Sequence, residues 1–327
     1  MRLLLAAILL GLLVPLAGAG SALAQSPLAL SASPLPFNPE DKTQETIGGL
    51  RWRGGLEITS DDPRFGGLSD LVLAPDGSAF TAISDAGRWV TARLTYDSAG
   101  KLAGITGGAS GTLRNAQGLL LEGKREQDAE ALVRLDDGSL MVAFERNHRL
   151  LQYGKGGLAS VPKAVPAPAD LAGARANAGL EALVALAGNR LLAFTEGQKM
   201  GDSYAIYLRE ADGRWHTLAL RPKGLFVPTG AAQLPNGDVL LLERRFTLLG
   251  GLGARLSRIP LAAIRPGAQL TGSEIAELRP PLSLDNFEGV AVHRLDDGSV
   301  RLTLVSDDNF SPLQRTLIVQ FELLTPP

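Results

Sequence analysis

Apolar residues in this chain come in short runs that begin and end on acids and break at glycine-centred turns. Asp70-Leu71-Val72-Leu73 leads through Pro75-Asp76-Gly77 and returns to Asp85. Glu130-Ala131-Leu132 leads through Asp136-Asp137-Gly138 to Glu145, and Glu181-Ala182-Leu183 through Gly188-Asn189 to Glu196. Looser copies run from Gly230 through Pro235-Asn236-Gly237 to Glu243, and from Glu288 through Asp296-Asp297-Gly298 to Asp307. A turn midway between two apolar runs predicts a β-hairpin, which returns the chain to its starting level and brings both acids of a copy to one end. No window longer than a turn or two carries a helical stripe, although a short helix fits Leu261-Ala262-Ala263-Ile264 after Pro260.

A half-buried hairpin is not stable alone, so repeats of roughly 40 to 50 residues predict an all-β propeller with blades packed around a channel. The copies begin at Asp70, Glu130, Glu181, Gly230 and Glu288, spaced by 60, 51, 49 and 58 residues. Five are visible. Leu50 to Ile58 lies before the first and Thr316 to Leu323 after the last, and pairing these segments would hide two sheet edges and close the ring. Counting that pair as a blade of its own makes six the favoured number, with five and seven as neighbouring counts. The proline-bearing stretches Gly154 to Ala178 and Pro260 to Leu284 read as loops or edge strands, because the acidic hairpin resumes after each.

The ends of the chain look different. Met1-Arg2, an apolar run from Leu3 to Val14 and small residues up to Ala22-Leu23-Ala24 predict a secretory leader over residues 1–24. The run is shorter than the roughly 20 apolar residues that span a bilayer, and no later stretch is long enough. Gln25 to Gly49, rich in Ser, Pro and Ala at its start, reads as a flexible tether, which leaves residues 50–327 for the propeller. Hydrophobic content of 45% over 327 residues suits one large domain, and the absence of cysteine excludes disulfides and sulfur-bound zinc while suiting a periplasmic or secreted protein. Loss of Arg2 with the leader takes the formal charge from −2 to −3 (31 basic against 34 acidic residues), and no basic run marks a nucleic-acid footprint.

Chemistry is expected at the acids away from the turns. Asp76, Asp136, Asp137, Asp296 and Asp297 belong to Asp-Gly turns and are read as structural. Asp70, Glu130, Glu181 and Glu288 open inner strands, and Asp85, Glu145, Glu196, Glu243 and Asp307 end the returning strands, so all should rim one mouth of the channel. Like charges held together require shared protons, intervening cations or a metal. Oxygen ligands from many loops favour calcium, with magnesium and manganese as alternatives; arginine-paired rim acids are the structural alternative. Basic groups alternate with the acids at Arg146-Asn147-His148-Arg149, Arg244-Arg245 and Arg315. Arg149 and Arg244 are candidates to hold an anionic ester, and Glu145 and His148 to move protons, whereas His216 and His293 sit in strand-like runs and are read as structural. The chain carries no G-x-S-x-G, H-E-x-x-H, P-loop, dinucleotide glycine fingerprint or R-H-G-x-R-x-P motif.

Asp128-Ala129-Glu130-Ala131-Leu132, Phe144-Glu145-Arg146-Asn147-His148-Arg149, Gly179-Leu180-Glu181-Ala182-Leu183, Leu242-Glu243-Arg244-Arg245-Phe246, Asn286-Phe287-Glu288-Gly289-Val290-Ala291 and Val305-Ser306-Asp307-Asp308-Asn309-Phe310 occur in that order. Together they resemble the phytase-like domain, also described as the esterase-like activity of phytase, over about Gly54 to Leu323. The resemblance implies a secreted or periplasmic propeller with esterase or phosphoesterase activity and kinship to calcium-dependent propeller phytases. Copy four departs from the pattern, with Gly230-Ala231 in place of an acid, so Thr229 or backbone carbonyls would substitute there. The expected function is metal-dependent hydrolysis of a phosphoester or carboxylic ester, with a small anionic or ester substrate. A lactonase-like enzyme and a propeller that binds a ligand or partner protein are the competing readings.

Overall fold

A computed structural model describes residues 25–247 and 250–324; the leader expected over residues 1–24 lies outside the described residues. Five sheets, antiparallel except where Gln269–Leu270 runs parallel to Trp215–Leu220 at the edge of one, are arranged as a β-propeller. Blade 1 runs outward through Leu68–Leu73, Ala79–Ser84, Arg88–Tyr96 and Leu102–Thr112, and blade 2 through Ala129–Arg134, Leu140–Phe144, Arg149–Tyr153 and Lys163–Val165. Blade 3 comprises Leu180–Leu186, Arg190–Met200, Ser203–Arg209 and Trp215–Leu220, and blade 4 comprises Val227–Gln233, Val239–Thr247, Gly251–Ile259 and Ser273–Leu278. Blade 5 begins with Phe287–Arg294, Val300–Ser306 and Leu317–Leu323 and is completed from the other end of the chain by Leu50–Thr59 and Ser31–Pro34. The first strand of each blade packs on the first strand of the next, and blade 5 meets blade 1, which closes the ring.

First and last segments do pair, Leu317 opposite Glu57 and Leu323 opposite Leu50. They do not form a sixth blade. They are the outer strands of the fifth, because Leu317–Leu323 pairs on its other edge with Val300–Ser306. The stretch expected to be a tether is also packed. Ser26–Pro27 extends blade 1 and Ser31–Pro34 extends blade 5, while Leu28 and Phe37 are buried. Each of these outer strands covers backbone groups that would otherwise form an open sheet edge.

Five apolar clusters stabilise the ring, one between each pair of neighbouring blades. Leu192, Phe194 and Leu208 of blade 3 meet Val239 and Leu241 of blade 4, for example, and Leu240 and Leu242 on the opposite face meet Leu302 and Leu304 of blade 5. The strict alternation in Val239-Leu240-Leu241-Leu242 thus feeds two interfaces, and burying such side chains contributes about 1.5–3 kcal/mol each. The irregular stretches supply Lys163–Val165, Gln269–Leu270 and Ser273–Leu278 as edge strands, and Leu261–Ala263 forms a single 3-10 turn. At the turn end, Asp76, Asp137 and Asp297 each accept the amide and hydroxyl of the serine two residues on, the structural role expected of them.

Candidate functional site at the acidic mouth

Every inner hairpin carries a register shift near the end opposite its Gly turn. The ladder skips Ser69, Glu130, Glu181, Thr229 and Glu288 in blades 1 to 5, leaving one extra residue in each inner strand. Such a bulge re-aims one side chain at the rim of a barrel or channel. Beside these five positions the second strands place Ser84, Phe144, Thr195, Glu243 and Ser306 in the same register, and the next residues are Asp85, Glu145, Glu196, Arg244 and Asp307. Two tiers follow from this: one of Ser69, Glu130, Glu181, Thr229 and Glu288, and one of Asp85, Glu145, Glu196, Arg244 and Asp307.

The two tiers merge into one electrostatic ring. Glu130 has Asp128, Glu145, Asp85 and Glu288 as charged neighbours, and Glu181 has Glu130, Glu145 and Glu196. Asp307 closes the circuit between Asp85 and Arg244. One carboxylate oxygen from each of Asp128, Glu130 and Glu145 lies within 4.8 Å of the other two. Arg244 stands across the ring, 3.7 Å from Glu196 and 3.5 Å from Glu288.

A family model described as Phytase-like, esterase-like activity of phytase, matches residues 63–310. The chain belongs to this family. The match includes all five acidic hairpins of the phytase-like propeller and the whole of its acidic ring. No curated protein matches the chain. Among solved structures it is similar to the Staphylococcus aureus virginiamycin B lyase crystallised with quinupristin, at 11% identity and TM-score 0.42 over 91% of this chain and 100% of that one. A protein of unknown function from Dyadobacter fermentans gives 14% identity and TM-score 0.43 over 92% and 95%. The PQQ-bound aldose sugar dehydrogenase of Streptomyces coelicolor gives 17% and 0.38 over 90% and 99%. Similarities this low leave the chemistry to be argued from the residues of the phytase-like chain itself.

Eight predicted residues meet in the ring: the acids Asp85, Glu130, Glu145, Glu181, Glu196, Glu288 and Asp307, and Arg244. Asp70 and Glu243 do not. Asp70 lies one residue beyond the bulge, and its carboxylate accepts the backbone N–H groups of Leu71 and Leu132, both at 2.8 Å, bracing the inner strands of blades 1 and 2. A Cβ on Gly289 would fall 2.7 Å from Asp70 Oδ1, so blade 5 closes over it from the other side. Glu243 lies one residue before its tier. It forms a two-pronged pair with Arg255 at 2.7 and 2.9 Å and accepts the Ser257 hydroxyl at 2.9 Å, with both charged side chains at most 6% exposed. Thr229 fills the acid position missing from copy four, where its hydroxyl donates to the Phe287 carbonyl.

Arg149 is also away from the ring. It stacks 4.0 Å from the Phe144 ring centroid and donates to the carbonyls of Asn147 and Glu126. His148 is at the ring's edge. Its Nε2 is 3.0 Å from the Arg175 carbonyl and must be the protonated nitrogen, so in the neutral ring Nδ1 is an acceptor, buried and without a partner. A Cβ on Gly179 would fall 2.7 Å from that Nδ1 and 3.0 Å from Glu145 Cγ, so only glycine admits both side chains here. The Gly179 N–H donates to Glu145 Oε1 at 2.5 Å.

Sequence reasoning missed Lys124, and it gave no site role to Asp128 or to Arg146, named there only within a motif and among the basic groups beside the acids. Asp128 precedes the inner strand of blade 2 and is 2% exposed. Lys124 bridges it to Asp85 at 2.5 and 2.6 Å, and Arg146, in a left-handed conformation at φ 55°, reaches it at 2.7 Å. The available signal was the acidic pair at i and i+2, Asp128 and Glu130, which no other copy repeats.

Burial dominates the titration of these groups. It pushes Glu130 and Glu181 well above the usual carboxylate range, with the surrounding acids adding to the effect. Glu145 is raised too, less so because the Glu181 carboxyl and Gly179 N–H donate to it. Burial lifts Glu288 to about 8 against the counteracting Arg244 charge, and Asp307 to about 7. Glu130 receives no hydrogen bond among the described residues, and buried Asp85 Oδ1 is likewise without a donor. Asp128 and Glu145 are already engaged, the first by Lys124 and Arg146 and the second by the Gly179 N–H. Converging hard oxygen donors of this kind fit a divalent cation of the calcium or magnesium type.

Proposed function

We propose that this phytase-like propeller is an exported, divalent-cation-dependent hydrolase of a phosphoester or carboxylic ester working at the acidic mouth. Calcium is the favoured ion, with magnesium and manganese as alternatives. The observation that carries the reading is the convergence of Asp128, Glu130 and Glu145 within 4.8 Å in a ring that also holds Arg244. A divalent cation in such a site supplies Lewis acidity toward an ester oxygen and acidifies water. Asp128, Glu130 and Glu145 are the residues to hold it, with Glu181 as a neighbour able to join.

The remaining work belongs to the chain's own groups. Arg244 is too far from Glu196 and Glu288 for short hydrogen bonds, and its buried Nε has no partner, so its N–H donors are free to hold an anionic oxygen. Glu181 donates a proton to Glu145 across a carboxyl pair, and His148 Nδ1 lies beside Glu145 as a further acceptor. That arrangement supports proton transfer through Glu145 with His148 as relay. The leader-like first residues and the cysteine-free sequence support export, and no described helix is long and apolar enough to cross a membrane.

The test is a screen of phosphomonoesters, carboxylic esters and lactones against purified protein with chelator, calcium, magnesium or manganese. Cation-dependent turnover lost in Glu130→Gln and reduced roughly a hundredfold or more in Arg244→Ala is expected. Turnover confined to lactones would replace the ester reading. Absence of turnover with saturable ligand binding at the same mouth would make this a binding propeller.

A further inference from the structure

An open pocket of about 320 Å³ lies on the flank of blade 1, and none of its lining residues belongs to the acidic ring. Arg64, Arg88 and Arg114 line it together with Ser110 and Thr112. Strand register explains the convergence. Arg88 pairs directly with Thr112, and Val90, two residues along and on the same face, pairs with Ser110, so Arg88 and both hydroxyls share one face of the sheet. The Arg88 guanidinium donates to Thr112 Oγ1 at 3.3 Å and to Ser110 Oγ at 3.1 Å. Both hydroxyl oxygens accept, so their own hydrogens remain available as donors.

The charge here is unbalanced. Arg64 is neutralised by Asp62, through contacts of 2.8 and 2.6 Å. Arg88 and Arg114 have no carboxylate within 4 Å among the described residues, and Arg114 is held by the Gly118 carbonyl at 2.7 Å. Two net positive charges therefore face one cavity. Burial first and then the Arg64 charge disfavour the protonated state of Arg88, with Asp62 acting in the opposite sense, and a bound anion would offset the remaining cost.

We propose that this cavity is a binding site for a tetrahedral oxyanion, a phosphate or sulfate group, held by Arg88 and Arg114 with the Ser110 and Thr112 hydroxyls. Planar guanidinium groups offer paired N–H donors to such oxygens, and two hydroxyl donors complete a partly buried cradle. Phosphate and sulfate share this chemistry, and a free ion and the phosphoryl group of an ester are the two sources to separate.

The experiment is isothermal titration of the protein in chelator, which removes divalent cations from the acidic mouth, with sodium sulfate, sodium phosphate and phenyl phosphate at constant ionic strength. Saturable one-to-one binding of sulfate and phosphate is expected, weakened at least tenfold in Arg88→Gln and in Arg114→Gln and unchanged in Glu130→Gln. Tighter binding of phenyl phosphate than of free phosphate would assign the cavity to an ester, and the reverse to the free ion. Equal affinity in wild type and in a folded Arg88→Gln, or no saturable binding of any of the three, overturns the proposal. Arg114→Gln keeps the test decisive if Arg88→Gln fails to fold. Because Glu130→Gln disables the mouth and leaves this cavity intact, failure here is separate from failure of the hydrolase reading.

Discussion

Raising the pH from 5 to 7 in the presence of chelator should destabilise the protein, the reverse of the usual behaviour of salt-bridged carboxylates. Glu288 titrates at about 8 in the folded state and Asp307 at about 7, against ordinary values of 4.5 and 3.8. The groups facing Glu288 are Arg244, Asp307, Glu196 and the Asn286 amide; those facing Asp307 are the Asn309 N–H, Asp85, Asp308 and Arg244. Both acids keep a proton when folded and lose it on unfolding over most of this interval. Stability is therefore fully present below the unfolded values and falls as pH rises toward the folded ones. These two groups alone, at about 1.36 kcal/mol per pH unit each, lose roughly 5 kcal/mol across two units. With an unfolding entropy of about 2.1 cal/mol/K per residue over roughly 300 residues, that is a fall in Tm of about 8 °C. Asp70, Glu130, Glu145 and Glu181, also raised by burial, act in the same direction. Carboxyls such as Asp62, Asp76 and Asp137, held below their ordinary values by hydrogen bonds, act at lower pH and do not mask it. Scanning calorimetry from pH 5 to 7 measures the slope directly. Saturating calcium should flatten it, since a cation favours the ionised acids, and Glu288→Gln should remove that residue's own share, about 2.7 kcal/mol across two units. A chelated protein whose Tm is level or rises over this range would falsify the electrostatic account of the ring.

Three further outcomes follow from the same geometry. Calcium at a hundredfold excess over its Kd should stabilise the fold by about 2.7 kcal/mol, and Glu130→Gln with Glu181→Gln should abolish most of that; no response to calcium, magnesium or manganese in the wild type would return the ring to shared protons and the Lys124, Arg146 and Arg244 charges. Arg255→Ala leaves Glu243 buried and unpaired and should cost about 3–5 kcal/mol in urea unfolding, with calcium affinity unchanged because the pair lies outside the ring; a large loss of affinity would put Glu243 back among the ligands. Gly179→Ala drives a methyl group into His148 and Glu145 and should reduce turnover more than tenfold while lowering Tm only slightly, whereas Arg149→Ala should leave turnover intact.

The hairpin, its orientation and the gathering of acids at the end away from the glycine turns were legible in the sequence, because alternation with a period of two and Asp-Gly turns are local properties of the chain. So was the pairing of the first and last segments. Register was not read correctly at two positions, because the spacing from turn to rim varies between blades: Gly77 to Asp85 spans eight residues, Gly138 to Glu145 seven and Gly298 to Asp307 nine. Five residues back from the acceptor of the turn's Gly N–H lie Glu130, Thr229 and Ser69 in blades 2, 4 and 1, but Val290 rather than Glu288 in blade 5. Counting seven forward from the turn glycine reaches Glu145 from Gly138 and Arg244 from Gly237, yet it reaches Ser84 from Gly77 and Val305 from Gly298, where the rim residues are Asp85 and Asp307. A shift of one residue turns a side chain to the opposite face of a strand, so Asp70 and Glu243 became braces inside the fold and Arg244 took the rim.

The blade count and the partners of each acid lay beyond local pattern. Whether the terminal strands form a sixth blade or complete the fifth depends on which edge of Val300–Ser306 remains free, a property of the assembled sheet. Asp128 joined the ring because the ring's closure brings the start of blade 2 against Asp85 of blade 1 through Lys124. Burial, which raises the pKa of Glu130, Glu181 and Glu288 and makes a cation favourable among them, arises only when five blades exclude water from one axis. The sequence by itself determined which residues could meet at the mouth; the tertiary structure decided which of them do, since desolvation and charge proximity are properties of the closed ring and of no single hairpin.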